Sequence, residues 1–132
     1  NPYDVYLSTR KLWRDSFAHV HLQEPSGQLV QETILNWYQK LFELFERDKK
    51  LMDSKAIVEV KYEELDSEPE KTVFHIYETL GLENFESVSD QLKSYVESLS
   101  NYRKNSYKLS DQDRELVSSR WRGTFDKYGY TI

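Results

Sequence analysis

Three short stretches hold most of the polar and aromatic side chains around which a site can be built: NPYDVYLS at residues 1–8, VKYEELDSEP at 60–69 and NYRKNSY at 101–107. The first reads as the capped start of a helix, with Asn1 as cap, Pro2 at the first helical position and Asp4 near the exposed N–H groups. Such a helix start attracts a dianion, and the hydroxyl of Ser8 adds one more donor. The second stretch places Tyr62 at the end of an apolar run, and the third sets Arg103 beside Lys104. Each also has an ordinary structural explanation: a helix-bonded or solvent-facing Ser8 hydroxyl, a charged exit into a capped helix, and two solvated cations.

Other chemistries are less well served. His19 and His21 are two residues apart on a helical stretch and point to different faces, whereas a helical metal pair needs a spacing of four. His75 adjoins an apolar face. The carboxylates Glu63, Glu64, Asp66, Glu68 and Glu70 are not arranged as an Asp-x-Asp-x-Asp-Gly loop, so they read as a solvated charge run and no metal is expected. The chain has no cysteine, which removes disulfides, thiolate catalysis and thiolate metal sites together.

The elements that must position these residues follow from periodicity. Val5, Leu12, Trp13, Phe17 and Val20 give a first helix from Pro2 to about Val20, and EPSGQ at 24–28 breaks it. Val30, Ile34, Trp37, Tyr38, Leu41, Leu44 and Phe45 trace the apolar stripe of a second. AIVEVKY, Ala56 to Tyr62, is short, β-branched and nearly continuously apolar, the pattern of a strand covered on both faces. A third helix runs from about Pro69 to Leu80, with Ser67 as candidate cap and Gly81 as stop. A fourth runs from Val88 to Leu99. Ser110 caps a fifth, which carries Leu116, Val117, Trp121, Phe125 and Tyr128 before Gly129. The expected fold is therefore α/β, with about five helices, one buried parallel-type strand, and the rest of the sheet missing.

The totals fit one modest domain, residues 1–132. Charged residues make up 31% of the 132, mean hydropathy is −0.80 and formal net charge is −5. The acidic balance argues against nucleic acid, and no apolar run approaches the roughly 18 residues that span a bilayer, so no membrane contact is expected of this segment. Charge is unevenly placed. Residues 53–100 carry twelve carboxylates against Lys55, Lys61, Lys71 and Lys93, whereas residues 101–132 carry seven basic side chains against Asp111, Asp113, Glu115 and Asp126. A local basic patch within an acidic protein suits a small phosphorylated ligand.

In combination and order, NPYDVYLS, VKYEELDSEPEKTVFHIYETLGL, NYRKNSYKL and RWRGTFDKYGY resemble the second half of the sulfotransferases that use 3′-phosphoadenosine 5′-phosphosulfate (PAPS). The resemblance spans Asn1 to Tyr130, with little contributed by residues 21–54. It implies the helix-rich C-terminal part of a P-loop-like, three-layer fold, and transfer of a sulfuryl group from PAPS to an acceptor hydroxyl or amine. It assigns Ser8 to the nucleotide 3′-phosphate, Tyr62 to the adenine environment, and Arg103 and Lys104 to a basic pair that closes over the 3′-phosphate. Asn105 stands where the family usually has Gly. Asn tolerates left-handed backbone but leaves less room for backbone approach to phosphate.

The family's phosphosulfate loop, its usual catalytic base and the arginine that partners the serine would lie before Asn1. The chain thus reads as an N-terminally truncated domain, inactive alone, whose catalytic residues are unknown, and a cytoplasmic setting is expected. Trp13, Arg14, His19 and the HLQEPSG loop would border the acceptor. The alternative is a non-catalytic helical interaction module derived from the same fold. The incomplete sheet further implies self-association.

Overall fold

The computed structural model describes residues 1–16, 20, 22–99, 103 and 105–132. Seven helices lie among them: α1 (Pro2–Ser16), α2 (Gly27–Lys49), α3 (Tyr62–Ser67), α4 (Pro69–Leu80), α5 (Phe85–Ser98), α6 (Asp111–Arg120) and α7 (Arg122–Tyr128). The chain divides into two compact units, Asn1–Glu46 with Ser106–Ile132, and Arg47–Asn105.

The expected α/β architecture is corrected: among the described residues there is no strand and no sheet. Residues 57–61 are without regular structure, although Ile57, Val58 and Val60 are half-buried and Lys61 is extended at φ −76°, ψ 137°. β-Branched composition favours extended backbone, but a strand exists only when a neighbour completes its ladder. No described residue does so. Self-association through an unfinished sheet therefore loses its structural basis.

In the first unit, the core joins Tyr3, Tyr6 and Leu7 of α1, Ile34 and Leu35 of α2, and Val117, Trp121 and Phe125 around α6 and α7. Trp121 is the keystone. Its ring stacks on Tyr38 at 3.8 Å between centroids and meets Tyr6 edge-on at 6.0 Å, while its indole N–H donates to the Leu35 carbonyl at 3.1 Å. That bond lets the polar end of a fully buried ring stay satisfied. Trp121 also divides the single final helix expected from the sequence: at φ −110°, ψ 23° it closes α6 and opens α7. Arg120 ties this junction to α2, donating to Glu32 at 3.0 Å and to Asn36 at 2.6 Å, and its carbonyl accepts from Gln39 at 2.8 Å.

The caps follow their chemistry. Asn1 Oδ1 accepts from the Tyr3 N–H at 3.0 Å, and the Ser110 hydroxyl oxygen accepts from the Asp113 N–H at 3.1 Å. Gly81 and Gly129 terminate α4 and α7 at φ 63° and 66°, the left-handed region that only Gly enters without strain. Ser67 does not cap α4. Glu68 holds that position, and the Ser67 hydroxyl donates back to the Glu63 carbonyl at 2.8 Å.

The second unit is a helical assembly of α3, α4 and α5. Phe85 at the start of α5 packs edge-on against Phe74 and Tyr77 of α4, at 5.1 and 5.4 Å. Buried Thr72 fixes α3 to α4 by donating to the Glu64 carbonyl at 3.1 Å. No described helix is long and apolar enough to cross a membrane.

Candidate functional site

Helix α1 carries two faces with different tasks. Tyr3, Tyr6, Leu7, Arg10, Trp13 and Arg14 follow the i, i+3, i+4, i+7 spacing of one stripe. Its first half is core. Its second half, from Arg10 onward, lines a groove. Ser8 lies about half a turn away from that stripe, on the exposed face, and its hydroxyl donates to the Val5 carbonyl at 3.1 Å. The oxygen keeps its lone pairs, and rotation about one bond releases the proton for another acceptor.

Tyr62 opens α3 and its residue is 62% exposed, so the ring offers a free face rather than core packing. Glu63 and Glu64 fill the first turn of that helix, where carboxylates complement the exposed N–H groups. Arg103 is exposed, and Asn105, close by, is exposed too. Lys104 lies outside the described residues, as do His19 and His21. Ser8 belongs to the first unit and Tyr62 and Arg103 to the second. His75 faces solvent, its Nδ1 3.4 Å from the Thr79 hydroxyl. Among the described residues no group of three or more His, Cys, Asp or Glu is placed to hold a metal ion.

The groove was legible only in part. It has a volume of about 600 Å³ and runs between the C-terminal half of α1, the loop at 22–25 and the first turns of α2. Trp13, Arg14, Leu22, Gln23, Glu24, Pro25 and Gly27, all within the stretches that the sequence places beside an acceptor, line it together with Arg10, Val30 and Gln31. A bidentate ion pair holds Arg10 at its edge. Arg10 donates from both terminal nitrogens to the Asp113 carboxylate, at 2.8 and 3.2 Å, while the Ser110 hydroxyl donates to Asp113 Oδ2 at 2.8 Å. Burial opposes the guanidinium charge, but the bonds and field of Asp113 outweigh it and hold the Arg10 pKa above its ordinary value. Arg14 is differently placed. It is largely exposed and bonds Asp15 through Nε–H at 2.9 Å; the hydrogen bond from Lys11, followed by this one, lowers the Asp15 pKa.

Sequence reasoning missed this pairing because its partners are 103 residues apart. Only its second half left a trace: the Ser110-x-x-Asp113 capping pattern, which marks Asp113 as anchored to a helix start.

Comparison with known proteins agrees with the resemblance to the family. Residues 1–87 match the model of the Sulfotransferase family. Proteins from Mycobacterium bovis (strain ATCC BAA-935 / AF2122/97) and Mycobacterium tuberculosis (strain CDC 1551 / Oshkosh), both named omega-hydroxy-beta-dihydromenaquinone-9 sulfotransferase Stf3, are each 31% identical over 130 residues, covering 98% of this chain. The chain spans about a third of their length, 34% in each case. No solved structure matches it.

Proposed function

The chain belongs to the sulfotransferase family, and from that premise we propose that it forms part of one PAPS-dependent sulfotransferase domain, transferring a sulfuryl group to an acceptor hydroxyl or amine. The observation that carries this reading is the ordered set of motifs along nearly the whole chain, with Ser8 exposed early on a capped helix. The chemistry of the exposed groups fits the donor: a hydroxyl and a guanidinium for phosphate oxygens, and the open ring of Tyr62 for a flat base. Ser8, Tyr62, Arg103 and Lys104 hold the nucleotide in this reading and move no proton. When bound, PAPS supplies the activated sulfuryl group.

No glycine-rich loop is available among Gly27, Gly81, Gly123 and Gly129. The donors that stabilise charge on the transferring group, normally the largest catalytic contribution, are therefore assigned to other parts of the full-length protein, and this chain alone is expected to be inactive. The groove beside Trp13 and Arg14 is assigned to the acceptor. The relatives named for an omega-hydroxy compound support a hydroxyl acceptor over an amine. The absence of cysteine is in keeping with a cytoplasmic setting.

The test is calorimetric titration of adenosine 3′,5′-bisphosphate into the full-length protein, its Ser8→Ala variant and its Arg103→Ala variant. Loss of one charge-assisted phosphate contact costs about 1.5–3 kcal/mol, a weakening of roughly tenfold or more. Weaker binding in both variants is expected. A folded full-length protein that does not bind the nucleotide overturns the sulfotransferase activity and favours a helical interaction module.

A further inference from the structure

We propose that the outer face of α2 docks the part of the full-length polypeptide that lies outside residues 1–132, as an intramolecular interface. The basis is the packing of α2 and the length of the relatives, independent of the nucleotide chemistry. This helix carries more apolar surface than its own core uses. With 3.6 residues per turn, its apolar arc takes in Trp37 and Leu41 as well as Ile34, Leu35, Tyr38 and Phe42, about half the circumference, where a helix with one buried face needs roughly 100°. The core covers one side of that arc: Ile34 and Leu35 are buried, and Tyr38 stacks on Trp121.

The other side is open. Leu29, Thr33, Trp37 and Leu41 form one row at a spacing of four, about 18 Å long, the kind of ridge by which helices pack. Leu29, Trp37 and Leu41 are 58%, 61% and 66% exposed. Thr33 brings no unmet donor to the row, because its hydroxyl donates to the Leu29 carbonyl at 2.7 Å. Trp37 meets Trp13 edge-on at 5.7 Å, so its ring is already placed and loses little freedom on docking.

Three observations choose the occupant. The alignment covers 98% of this chain but 34% of each relative, so about two-thirds of their length lies outside it. The three exposed side chains offer a few hundred Å², well short of the roughly 800 Å² per partner of a stable complex, whereas a covalently joined part loses no translational freedom and needs no such area. The charges flanking the row are balanced and paired, Lys40 with Glu43 at 3.4 Å and Arg47 with Asp48 at 2.7 Å, without the basic excess that lays a helix on a membrane.

The test uses full-length protein labelled with 5-fluorotryptophan, the Trp37 fluorine resonance being identified by its loss in Trp37→Phe. A soluble gadolinium chelate broadens resonances that are open to solvent. In the folded monomer, verified by sedimentation velocity, the Trp37 resonance should broaden about fivefold less than in the same protein unfolded in urea, as a ring packed at interior density does. An exposure of 61% would leave more than half of that broadening. Leu41→Gln, which keeps helix propensity, should lower the urea midpoint of the full-length protein by about 0.5 M or more, whereas a solvent-facing position would leave it unchanged.

Broadening near the unfolded level in the monomer, or an unchanged Leu41→Gln midpoint, overturns the proposal. Protection that disappears when dilution dissociates a dimer also overturns it and assigns the face to a second copy. Protection gained only on adding phosphatidylglycerol vesicles overturns it in favour of a membrane.

Discussion

Arg10 and Asp113 should be coupled by about 1–2 kcal/mol, well above an ordinary surface ion pair. The magnitude follows from the unequal exposure of the two side chains, 43% for Arg10 and 11% for Asp113. Arg10→Met keeps the stem but strands a mostly buried carboxylate, which retains the Ser110 hydroxyl and its favourable place in the first turn of α6. Those survivors hold the cost to about 2–3 kcal/mol, below the 3–5 of a wholly buried broken pair. Asp113→Asn is milder. The amide oxygen still accepts one bond, and the released guanidinium is rehydrated, so about 1–1.5 kcal/mol is expected. Urea unfolding of both single variants and the double variant, with unchanged denaturant slope, gives the coupling directly. A value under about 0.5 kcal/mol would refute the reasoning. It would also remove the basis for treating Arg10 as a fixed edge of the groove.

Two further predictions concern the elements around it. A Cβ at Gly123 in α7 would meet open space and Gly81 sits at positive φ, so Gly123→Ala should stabilise by about 0.5–1 kcal/mol while Gly81→Ala destabilises by about 1–2 kcal/mol, both read from urea midpoints. Burial, followed by the field of Glu46, raises the Tyr128 phenol above its ordinary value of about 10. The folded state then binds the proton more tightly than the unfolded state. Its contribution is complete below pH of about 10 and is lost as pH rises through the raised folded value, an alkaline decline that Tyr128→Phe should abolish in pH-dependent unfolding.

The helices were legible where local chemistry alone decides them. Pro69 and Gly81 bound α4 as the sequence places them, and Ser110 with Gly129 marks the outer limits of the last helical region. Three features were not legible, for distinct reasons. The Ala56–Tyr62 run has the composition of a strand, but composition cannot show whether a ladder partner exists, and none lies among the described residues. The break at Trp121 interrupts no apolar stripe, because both flanking helices bury residues against the same core. Helix α3 was passed over as a charged turn, although Glu63 and Glu64 sit where a helix start favours carboxylates. At the groove, Trp13, Arg14 and the EPSG loop were visible as local sequence, whereas the Asp113 that holds Arg10 in place was not.

The two faces of α1 bear on whether one helix can serve both donor and acceptor. Ser8 is about half a turn from the stripe of Arg10, Trp13 and Arg14, so a nucleotide phosphate on its hydroxyl stays off the groove side of the helix. In PAPS the 3′-phosphate and the sulfuryl-bearing 5′ arm leave the ribose from different carbons. A residue that grips the 3′-phosphate therefore has no need to face the acceptor. The proposed roles thus accord with the separation that the helical period enforces. Ser8→Ala should weaken adenosine 3′,5′-bisphosphate binding by the full-length protein, whereas Trp13→Phe at the groove should leave it unchanged. Loss of nucleotide binding in Trp13→Phe would show that the two faces are not independent.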